Sequence, residues 1–358
     1  MAPLDWGLGH ATRCIPLIRA LLEAGHEVLL AGEGRQASLL ATEFPSLTLL
    51  PLRGYRVRYS RKAWQLPFVL LAQLPGIRQS IRNEKKWLEQ QVREHAIDLV
   101  ISDNRYGLYH PRIPAVIITH QLTIITPLRP LQNLIRQIHY RLLNHFSQVW
   151  VPDAYEPPSV AGILSHPEKM PAIPVHYIGC MSRFEYKEVP ITYQYCVVLS
   201  GPEPQRTLLE EKLLEGFKNT RDRVLFIRGL PGETKLPATD NHITCLNHLS
   251  GDQLHKAILG SEWIICRSGY TTVMEILQLR KKAILIPTPG QTEQIYLAKR
   301  LHELGWSFSV KQNKLELGAT LLAAQEFKFS FLQPATFNKT LCLNAVQSLV
   351  HPDVALRQ

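Results

Sequence analysis

The chain contains no run of 18 or more apolar residues, which excludes a conventional membrane-spanning helix. Its six cysteines are scattered and form no CxxC pair, so the sequence predicts neither a zinc site nor a dense disulfide framework. Low-complexity tracts are absent, and the first residues include an acid and two glycines where a signal peptide would need a basic segment and an apolar run. These absences favour a folded, cytoplasmic protein with reduced thiols.

Hydrophobic residues make up 45% of the 358 positions, enough to bury a large core, and the length predicts about two domains. Short β-branched runs alternate with longer helical patterns, as in parallel α/β sheets. Strands are expected at 27–31, 47–52, 98–102, 115–119, 148–151, 175–178, 195–199, 223–227, 243–246, 263–266, 283–286 and 307–310. Helices are expected at 11–24, 75–95, 131–146, 206–219, 251–259, 271–279 and 291–304.

These elements form two series, which predict two Rossmann-like, doubly wound domains with parallel sheets. We expect the first domain at residues 1–180, a linker at 181–192 and the second domain at 193–335. A C-terminal helix at 336–358 is expected to pack back toward the first domain. A ligand held between two such domains would lie in a cleft at the carboxyl ends of the strands.

Positive charge is concentrated in residues 51–150, which hold fifteen basic residues against five acids in a chain of net charge +10. Aromatic residues and the apolar run Leu66–Leu74 are interleaved with these charges: Tyr55, Tyr59, Trp64, Phe68 and Trp87. Such a mixture suits an anionic membrane surface, an ordinary solvated face or a nucleic acid. No nucleic-acid motif accompanies the charge, so nucleic acid is not expected as a partner.

The segment Gly7-Leu8-Gly9-His10 is expected to form the turn between the first strand and the first helix. Glycines at such a turn let a ligand approach the backbone and leave the helix N-terminus open to an anion. A dinucleotide-binding fingerprint would need a third glycine where Thr12 stands, so that interpretation fails. His10 would project into the cleft and could take a proton from a hydroxyl; a histidine that caps the helix is the alternative.

The first strand is unusually short, because only Met1–Leu4 precede the turn. Either the native start lies upstream of Met1 or the chain lacks most of this strand. The central sheet position that the strand would occupy favours an upstream start.

Polar residues follow two further strands of the first series. Asp103, at the end of the run 98–102, could hold the His10 imidazole in one tautomer and stabilise its protonated form, or it could cap a turn. Asn104, Arg105 and His120, which follow the same or the next strand, could line the same cleft beside Gly7, Gly9 and Arg13. They are therefore candidate cleft residues.

Three polar turns follow successive strands of the second series. Ser200-Gly201 could hold phosphate through backbone N–H groups, with a charge-assisted contact from Arg206. Ser268-Gly269-Tyr270-Thr271-Thr272 opens a helix and is suited to a diphosphate, while Glu275, one turn further, could accept from ribose hydroxyls. Gln291, Glu293 and Gln294 bring amides and a carboxylate suited to sugar hydroxyls.

The segments Ser268–Glu275 and Gly290–Gln294 resemble the C-terminal nucleotide-sugar domain of GT-B glycosyltransferases, in particular glycosyltransferase family 28, which includes the peptidoglycan N-acetylglucosaminyltransferase. Gly7–His10 resembles the glycine-rich turn of that group, and the string Asp5–Arg13 resembles uncharacterised bacterial family-28-like proteins. The resemblance covers nearly the full chain. It implies two Rossmann-like domains that face a cleft, an inverting hexosyl transfer, and neither cofactor nor metal.

Residue by residue, the resemblance implies that Ser200 and Gly201 contact phosphate and that Ser268, Gly269 and Thr271 contact the diphosphate of a UDP-sugar. Glu275 would bind ribose, and Glu293 and Gln294 the donor sugar. His10 with Asp103 resembles the His–Asp pair of plant and antibiotic UDP-sugar transferases. The turn at Gly7 has one glycine fewer than the peptidoglycan enzyme, and the pair at 293–294 reads Glu-Gln rather than Gln-Gln, so the substrate is not carried over.

Four functions remain open from the sequence, one of which is another GT-B reaction such as epimerisation. The leading one is transfer to an acceptor hydroxyl, on a lipid-linked or cell-envelope glycan, by an enzyme in the cytoplasm or on the inner face of the membrane. The second is a UDP-sugar hydrolase of the pseudaminic-acid-pathway type, in which His10 would activate water. The third is a nucleotide-sugar-binding protein without catalysis.

Overall fold

The computed structural model describes residues 1–55, 66–126, 131–331 and 333–351, and its strands are short runs rich in β-branched and aliphatic residues. In chain order the strands are β1 Ala2–Pro3, β2 Leu30–Gly32, β3 Leu49–Pro51, β4 Val100–Asp103, β5 Ala115–Ile118, β6 Gln148–Val151, β7 Val175–Tyr177, β8 Tyr193–Val198, β9 Val224–Ile227, β10 Ile243–Leu246, β11 Ser261–Cys266, β12 Lys282–Leu285 and β13 Phe308–Ser309. The helices are α1 Leu8–Glu23, α2 Gly34–Glu43, α3 Leu66–His95, α4 Gln132–Leu143, α5 Gln205–Phe217, α6 Gly251–Leu259, α7 Tyr270–Gln278, α8 Thr292–Glu303, α9 Leu317–Glu326 and α10 Lys339–Val350.

The described residues divide into two compact units. The first contains residues 1–55, 67–126, 131–183 and 334–351, and the second contains 66, 184–331 and 333. The chain passes from the first unit to the second at Arg183–Phe184, within the segment 181–192 that we expected to be the linker. It returns to the first unit at Pro334.

The first unit is built on parallel strands in the order β1-β4-β5-β6-β7, with β2 and β3 forming a parallel pair. The N–H of Ala31 donates to the Met1 carbonyl at 2.9 Å, so β2 lies beside β1 on the side opposite β4. The full order is therefore 3-2-1-4-5-6-7, which is a doubly wound order. Although β1 is only two residues long, it lies between β2 and β4, and Pro3 pairs with Asp103.

The second unit is a six-stranded parallel sheet in the order β10-β9-β8-β11-β12-β13. Numbered from β8, this order is 3-2-1-4-5-6, the same winding as in the first unit. Each unit therefore brings the carboxyl ends of its central strands to one edge, where the turns that follow them lie close together.

Helices pack on the sheet of each unit. In α1 the residues Ala11, Cys14, Ile15 and Ile18 are almost fully buried at helical spacing, and they share a core with Val346 of α10. The second core joins buried residues of β8, β11 and β12 to those of α5 and α9. In the described part of the chain, no helix is both long and apolar enough to cross a membrane.

Two helices, α2 and α9, were not expected from the sequence. The segment Gly34–Glu43 begins with a glycine at a φ of +64°, and only Gln36, Ala37 and Leu40 are buried on it, so its apolar stripe is too short to be recognised. In Leu317–Glu326 small and apolar residues surround the helix, which obscures the helical period. Both helices depend on tertiary packing more than on local pattern.

Candidate active site

His10 lies in the first turn of α1, directly after the glycine that begins the helix. Gly7 precedes the helix with a φ of +99°, a left-handed conformation that favours glycine, and no side chain caps the helix there. His10 is therefore not a capping residue. Its side chain is 16% exposed, so the ring is largely enclosed but accessible from one side.

Asp103 ends β4, the strand next to β1, and this adjacency brings it to His10. The carboxylate is fully buried, and its Oδ2 lies 3.2 Å from His10 Nδ1. Arg13, one turn further along α1, donates from Nε to the same oxygen at 2.8 Å and from Nη2 to Oδ1. Asp103 thus holds the imidazole and a guanidinium together.

The His10 ring has two possible tautomers, because Nδ1 lies near both an acceptor and a donor. It is 3.2 Å from Asp103 Oδ2 and 3.0 Å from Arg13 Nη2. If Nδ1 carries the proton, it donates to Asp103 and leaves a lone pair on Nε2; if it does not, Nδ1 accepts from Arg13 and Nε2 is protonated. Only the first tautomer can accept a proton at Nε2.

Burial and charge set the protonation states of this group. Burial lowers the pKa of His10, and the Arg13 charge adds to that effect, while Asp103 opposes both. Burial would raise the pKa of Asp103, but Arg13 and His10 together outweigh it and hold that pKa well below its ordinary value. At neutral pH the group therefore contains a neutral imidazole and an ionised carboxylate.

His120 follows β5 and joins the same group from the neighbouring strand. It is 4% exposed, and its Nδ1 lies 3.3 Å from Arg13 Nη1. Cys14 also contacts Asp103, with its Sγ 3.6 Å from Oδ2, and burial raises the pKa of this thiol. His10, Arg13, Asp103 and His120 are called the His10 cluster below.

Asn104 and Arg105 follow Asp103 but do not enter the His10 cluster. Asn104 turns the chain with a φ of +55°, and its N–H donates to the Ile118 carbonyl at 3.1 Å. The expectation that Arg105 lines the cleft is wrong, because its guanidinium is fully buried and donates to Glu84 Oε1 at 2.7 Å. Glu84 also accepts from the Tyr55 hydroxyl at 2.8 Å, so this network braces α3 against the β4 turn.

In the second unit, the turns after β8, β11 and β12 converge, and we call them the three-turn cluster (residues 200–204, 267–269 and 287–291). A Cβ on Gly201, whose φ is +102°, would lie 3.6 Å from Thr288 Oγ1. The Ser268 hydroxyl donates to the Gln294 carbonyl at 2.8 Å, and Gln294 Oε1 accepts from the Thr288 N–H at 2.9 Å. The turns after β8 and β11 therefore both lie close to the segment that follows β12.

Helix α7 begins in this cluster without a side-chain cap. Gly269 is its N-cap residue, and a Cβ placed there would meet no atom within 4 Å. Helix α6 of the same unit provides a contrast, because Ser250 and Gln253 close its N-terminus with a capping box. The N-terminus of α7 therefore combines a helix dipole with open space, an arrangement suited to an anion.

The remaining predicted residues of the second unit lie on or beside these turns. Ser200 is exposed, Thr271 and Thr272 are half-buried in the first turn of α7, and Glu275 is 7% exposed one turn further. Gln291 precedes α8 and its Oε1 accepts from Gln294 Nε2 at 2.5 Å, while Glu293 is half-buried in the first turn of α8.

Arg206 does not have the predicted role, since its guanidinium is already paired with two carboxylates. It is 5% exposed, donates from Nε to Glu203 Oε1 at 2.5 Å, and donates from Nη1 to Glu210. These contacts compensate its charge and fix it on α5, so it is not available for a phosphate.

Sequence reasoning missed two contacts that organise these clusters. Arg13 was expected in the cleft, but its two hydrogen bonds to Asp103 were not predicted. Arg13 lies three residues after His10 on one helix, and that spacing could have suggested a shared partner. Arg267 was not singled out, although it stands between β11 and Ser268 and is 1% exposed.

Comparison with known proteins finds a family match in the C-terminal part of the chain. Residues 250–340 match the sequence model of the glycosyltransferase family 28 C-terminal domain. Two proteins of Methanosarcina acetivorans, each described as an uncharacterised glycosyltransferase, are 23% and 26% identical over 84% of this chain, and the matches cover 82% and 80% of those proteins.

Solved structures with the same fold also match nearly the whole chain. The kitacinnamycin glycotransferase superposes with a TM-score of 0.63 at 16% identity, covering 91% of this chain and 90% of that one. MurG of Acinetobacter baumannii superposes with a TM-score of 0.57 at 15% identity, covering 97% and 98%. The spinosyn rhamnosyltransferase SpnG gives a TM-score of 0.58 at 16% identity, covering 96% and 98%.

Two doubly wound parallel units together with these relatives define the class of GT-B glycosyltransferases. Within that class, the C-terminal part of the chain resembles glycosyltransferase family 28, and most of the chain is similar to uncharacterised glycosyltransferases. As a glycosyltransferase it uses a sugar donor and an acceptor.

Proposed function

We propose that the protein transfers a sugar from a UDP-sugar to an acceptor hydroxyl with inversion at the anomeric carbon. The observation that carries the donor assignment is the convergence of three polar turns on the uncapped N-terminus of α7. The observation that supports the catalytic role is the contact of His10 Nδ1 with the buried Asp103 carboxylate, which leaves Nε2 for the acceptor.

In this proposal the second unit binds the nucleotide-sugar. The diphosphate would accept hydrogen bonds from the backbone N–H groups at Gly201 and at the start of α7, where the helix dipole favours negative charge. Glu275 would accept from the ribose hydroxyls, and Glu293 and Gln294 would contact the donor sugar. The same N–H groups would stabilise the charge that develops on the diphosphate as it leaves, so the transfer would require no metal ion.

His10 of the first unit would act as general base. Its Nε2 takes the proton of the acceptor hydroxyl while the acceptor oxygen bonds to the anomeric carbon, and the bond from that carbon to the diphosphate oxygen breaks, leaving its electron pair on the diphosphate. Attack from the side opposite the leaving group inverts the anomeric configuration. Asp103 then stabilises the imidazolium, as the acid of a catalytic triad does.

A thermal-shift screen over UDP-, GDP-, dTDP- and CMP-sugars tests the donor assignment. A ligand that binds only the folded state raises its stability by mass action, so the true donor gives the largest shift. The proposal expects UDP-sugars to lead, with the shift unchanged by EDTA. A larger shift with a GDP-, dTDP- or CMP-sugar would show that the donor carries that nucleotide and not UDP. No shift with any of the four would contradict the donor assignment.

We also propose that an anionic membrane surface is a partner of the first unit. Leu131, Leu134 and Ile138 are 38%, 52% and 45% exposed at helical spacing along α4, beside Arg136 and Arg141, in the basic segment 51–150. Exposed apolar residues flanked by arginines suit the interface of an anionic bilayer. Of the aromatic residues predicted for this surface, Tyr59, Trp64 and Phe68 lie outside the residues whose side chains the structure describes.

Flotation with vesicles tests this partner. Leu134→Glu should reduce binding to vesicles that contain phosphatidylglycerol, and Leu322→Glu, at a residue 65% exposed in the second unit, should not. Equal flotation of both variants and the unmodified protein would contradict the role of α4. The location proposed is the cytoplasmic face of the membrane, which is supported by six buried cysteines that are all free thiols.

A further inference from the structure

Arg267 joins the turn after β11 to the turn after β12 and to the start of α5. It follows β11 directly, two residues before the N-cap of α7, and is 1% exposed. Its Nη1 donates to the carbonyls of Ile286 at 3.1 Å and Pro287 at 3.3 Å, after β12. Its Nη2 donates to the carbonyl of Gln205 at 2.6 Å, at the start of α5.

The charge of Arg267 has no carboxylate partner among the described residues. The other three buried arginines of that part of the chain, Arg13, Arg105 and Arg206, each pair with an aspartate or a glutamate. Arg267 instead donates to neutral carbonyls, and its buried Nε has no hydrogen-bond partner in the structure described here. A fully buried arginine without a counter-charge is unusual, because desolvation of a cation is costly unless an anion compensates it.

Arg267 nevertheless remains charged at neutral pH. Burial lowers the pKa of its guanidinium to about 10, which is still well above 7. The second unit therefore holds a permanent positive charge in the three-turn cluster. No acidic side chain of the described residues neutralises this charge.

We infer that Arg267 is a built-in counter-charge for the diphosphate of the donor and also positions the three turns that hold it. The inference rests on the proposed function, because it takes the three-turn cluster as the donor site. An anion at the N-terminus of α7 would supply the negative charge that Arg267 lacks, and the helix dipole would act in the same direction. Arg267 thus takes the electrostatic role that the sequence suggested for Arg206.

Two substitutions separate charge from structure. Arg267→Gln keeps hydrogen-bond donors for the carbonyls but removes the charge, whereas Arg267→Lys keeps the charge. Arg221→Gln is the matched control, since Arg221 is an exposed residue that precedes β9, at the opposite end of a strand from the turns. Each variant is titrated calorimetrically with UDP, inorganic pyrophosphate and uridine, and its melting temperature is recorded.

The inference predicts that Arg267→Gln weakens binding of UDP and pyrophosphate by about tenfold, because the attraction between the buried charge and the diphosphate is lost. Uridine, which has no phosphate, should bind this variant as it binds the unmodified protein. Arg267→Lys should retain most of the pyrophosphate affinity, and Arg221→Gln should retain all of it. The dependence of UDP affinity on salt should also be smaller in Arg267→Gln.

Equal loss of UDP and uridine binding in Arg267→Gln would show a purely structural role and overturn the inference. If Arg267→Gln does not fold, Arg267→Lys tests the inference instead. A tenfold loss of pyrophosphate affinity in Arg267→Lys at an unchanged melting temperature would overturn the inference. If the unmodified protein binds neither UDP nor pyrophosphate, the proposed donor site itself is wrong, an outcome distinguishable from a failure of Arg267 alone.

Discussion

Arg13 holds both carboxylate oxygens of Asp103, donating from Nε to Oδ2 at 2.8 Å and from Nη2 to Oδ1 in a fully buried ion pair. The same Oδ2 lies 3.2 Å from His10 Nδ1, so one carboxylate contacts both a permanently charged guanidinium and an imidazole. Because Arg13 already compensates the charge of Asp103, the pair stabilises an imidazolium less than an isolated carboxylate would. His10 is therefore a neutral base at rest, and its protonation is sensitive to both partners.

Removal of the imidazole should slow transfer strongly without affecting donor binding. We expect His10→Asn to lower kcat by about 10²- to 10⁴-fold, the usual contribution of a general base, with an unchanged Kd for UDP, because the donor residues belong to the second unit. His26→Asn, at an exposed residue after α1, is the control and should retain full activity. Near-normal kcat in the His10 variant would refute the assignment of the base.

The acid limb of the pH–rate profile should lie below pH 6.5, because the pKa of His10 is lowered and the base works when neutral. Arg13 lowers this pKa and Asp103 raises it, so Arg13→Gln should move the limb to higher pH and Asp103→Asn should move it to lower pH. Profiles of kcat/KM against pH for the three proteins measure this. Shifts in the same direction for both variants would show that the cluster does not control His10.

The open N-terminus of α7 offers a test with little structural disturbance. Gly269→Ala places a methyl group where no atom lies within 4 Å, at an ordinary φ of −68°, so we expect a stability change below about 1 kcal/mol. The methyl group would occupy the space proposed for the diphosphate, and the Kd for UDP should rise about tenfold. Gly318→Ala, also in open space on α9, serves as the control. Unchanged UDP affinity in Gly269→Ala would place the diphosphate elsewhere.

Acid should destabilise the first unit through His139. Burial lowers the pKa of this residue to about 4, so the unfolded chain binds a proton near pH 6.5 and the folded chain does not. The unfolded state therefore binds more protons between pH 6.5 and 4, and the free energy of unfolding should fall by about 3 kcal/mol over that interval. Urea unfolding of the unmodified protein and of His139→Leu at pH 7 and pH 4 measures this difference. An equal loss in both proteins would assign the acid sensitivity to other groups.

Much of the fold could be predicted from the sequence, because buried parallel strands are short β-branched runs between amphipathic helices. The strands Gln148–Val151 and Ile243–Leu246 and the helix Gly251–Leu259 were predicted to the residue. The first strand was expected to occupy a central sheet position, and β1 lies between β2 and β4 although only two of its residues pair. Helices α2 and α9 could not be predicted, since their stability depends on packing against the distant helices α1 and α5 and the neighbouring strands.

The two clusters were predictable as turns at strand ends, but the partners of the arginines were not. The sequence places Arg105 and Arg206 beside polar turns, as it does Arg13 and Arg267. Which of them meets a carboxylate depends on distant residues: Glu84 on α3 for Arg105, and Glu210 on α5 together with Glu203 for Arg206. Only the folded chain shows that Arg267 meets none in the described residues.

Acceptor-dependent release of UDP tests the central claim most directly. The unmodified protein and His10→Asn are incubated with the UDP-sugar that gives the largest thermal shift, with and without a detergent extract of cell-envelope lipids and glycans as acceptor. The proposed transferase predicts rapid UDP release only with the extract present, and loss of that release in His10→Asn. Release at the same rate without acceptor would identify a hydrolase, and release that does not depend on His10 would contradict the proposed mechanism.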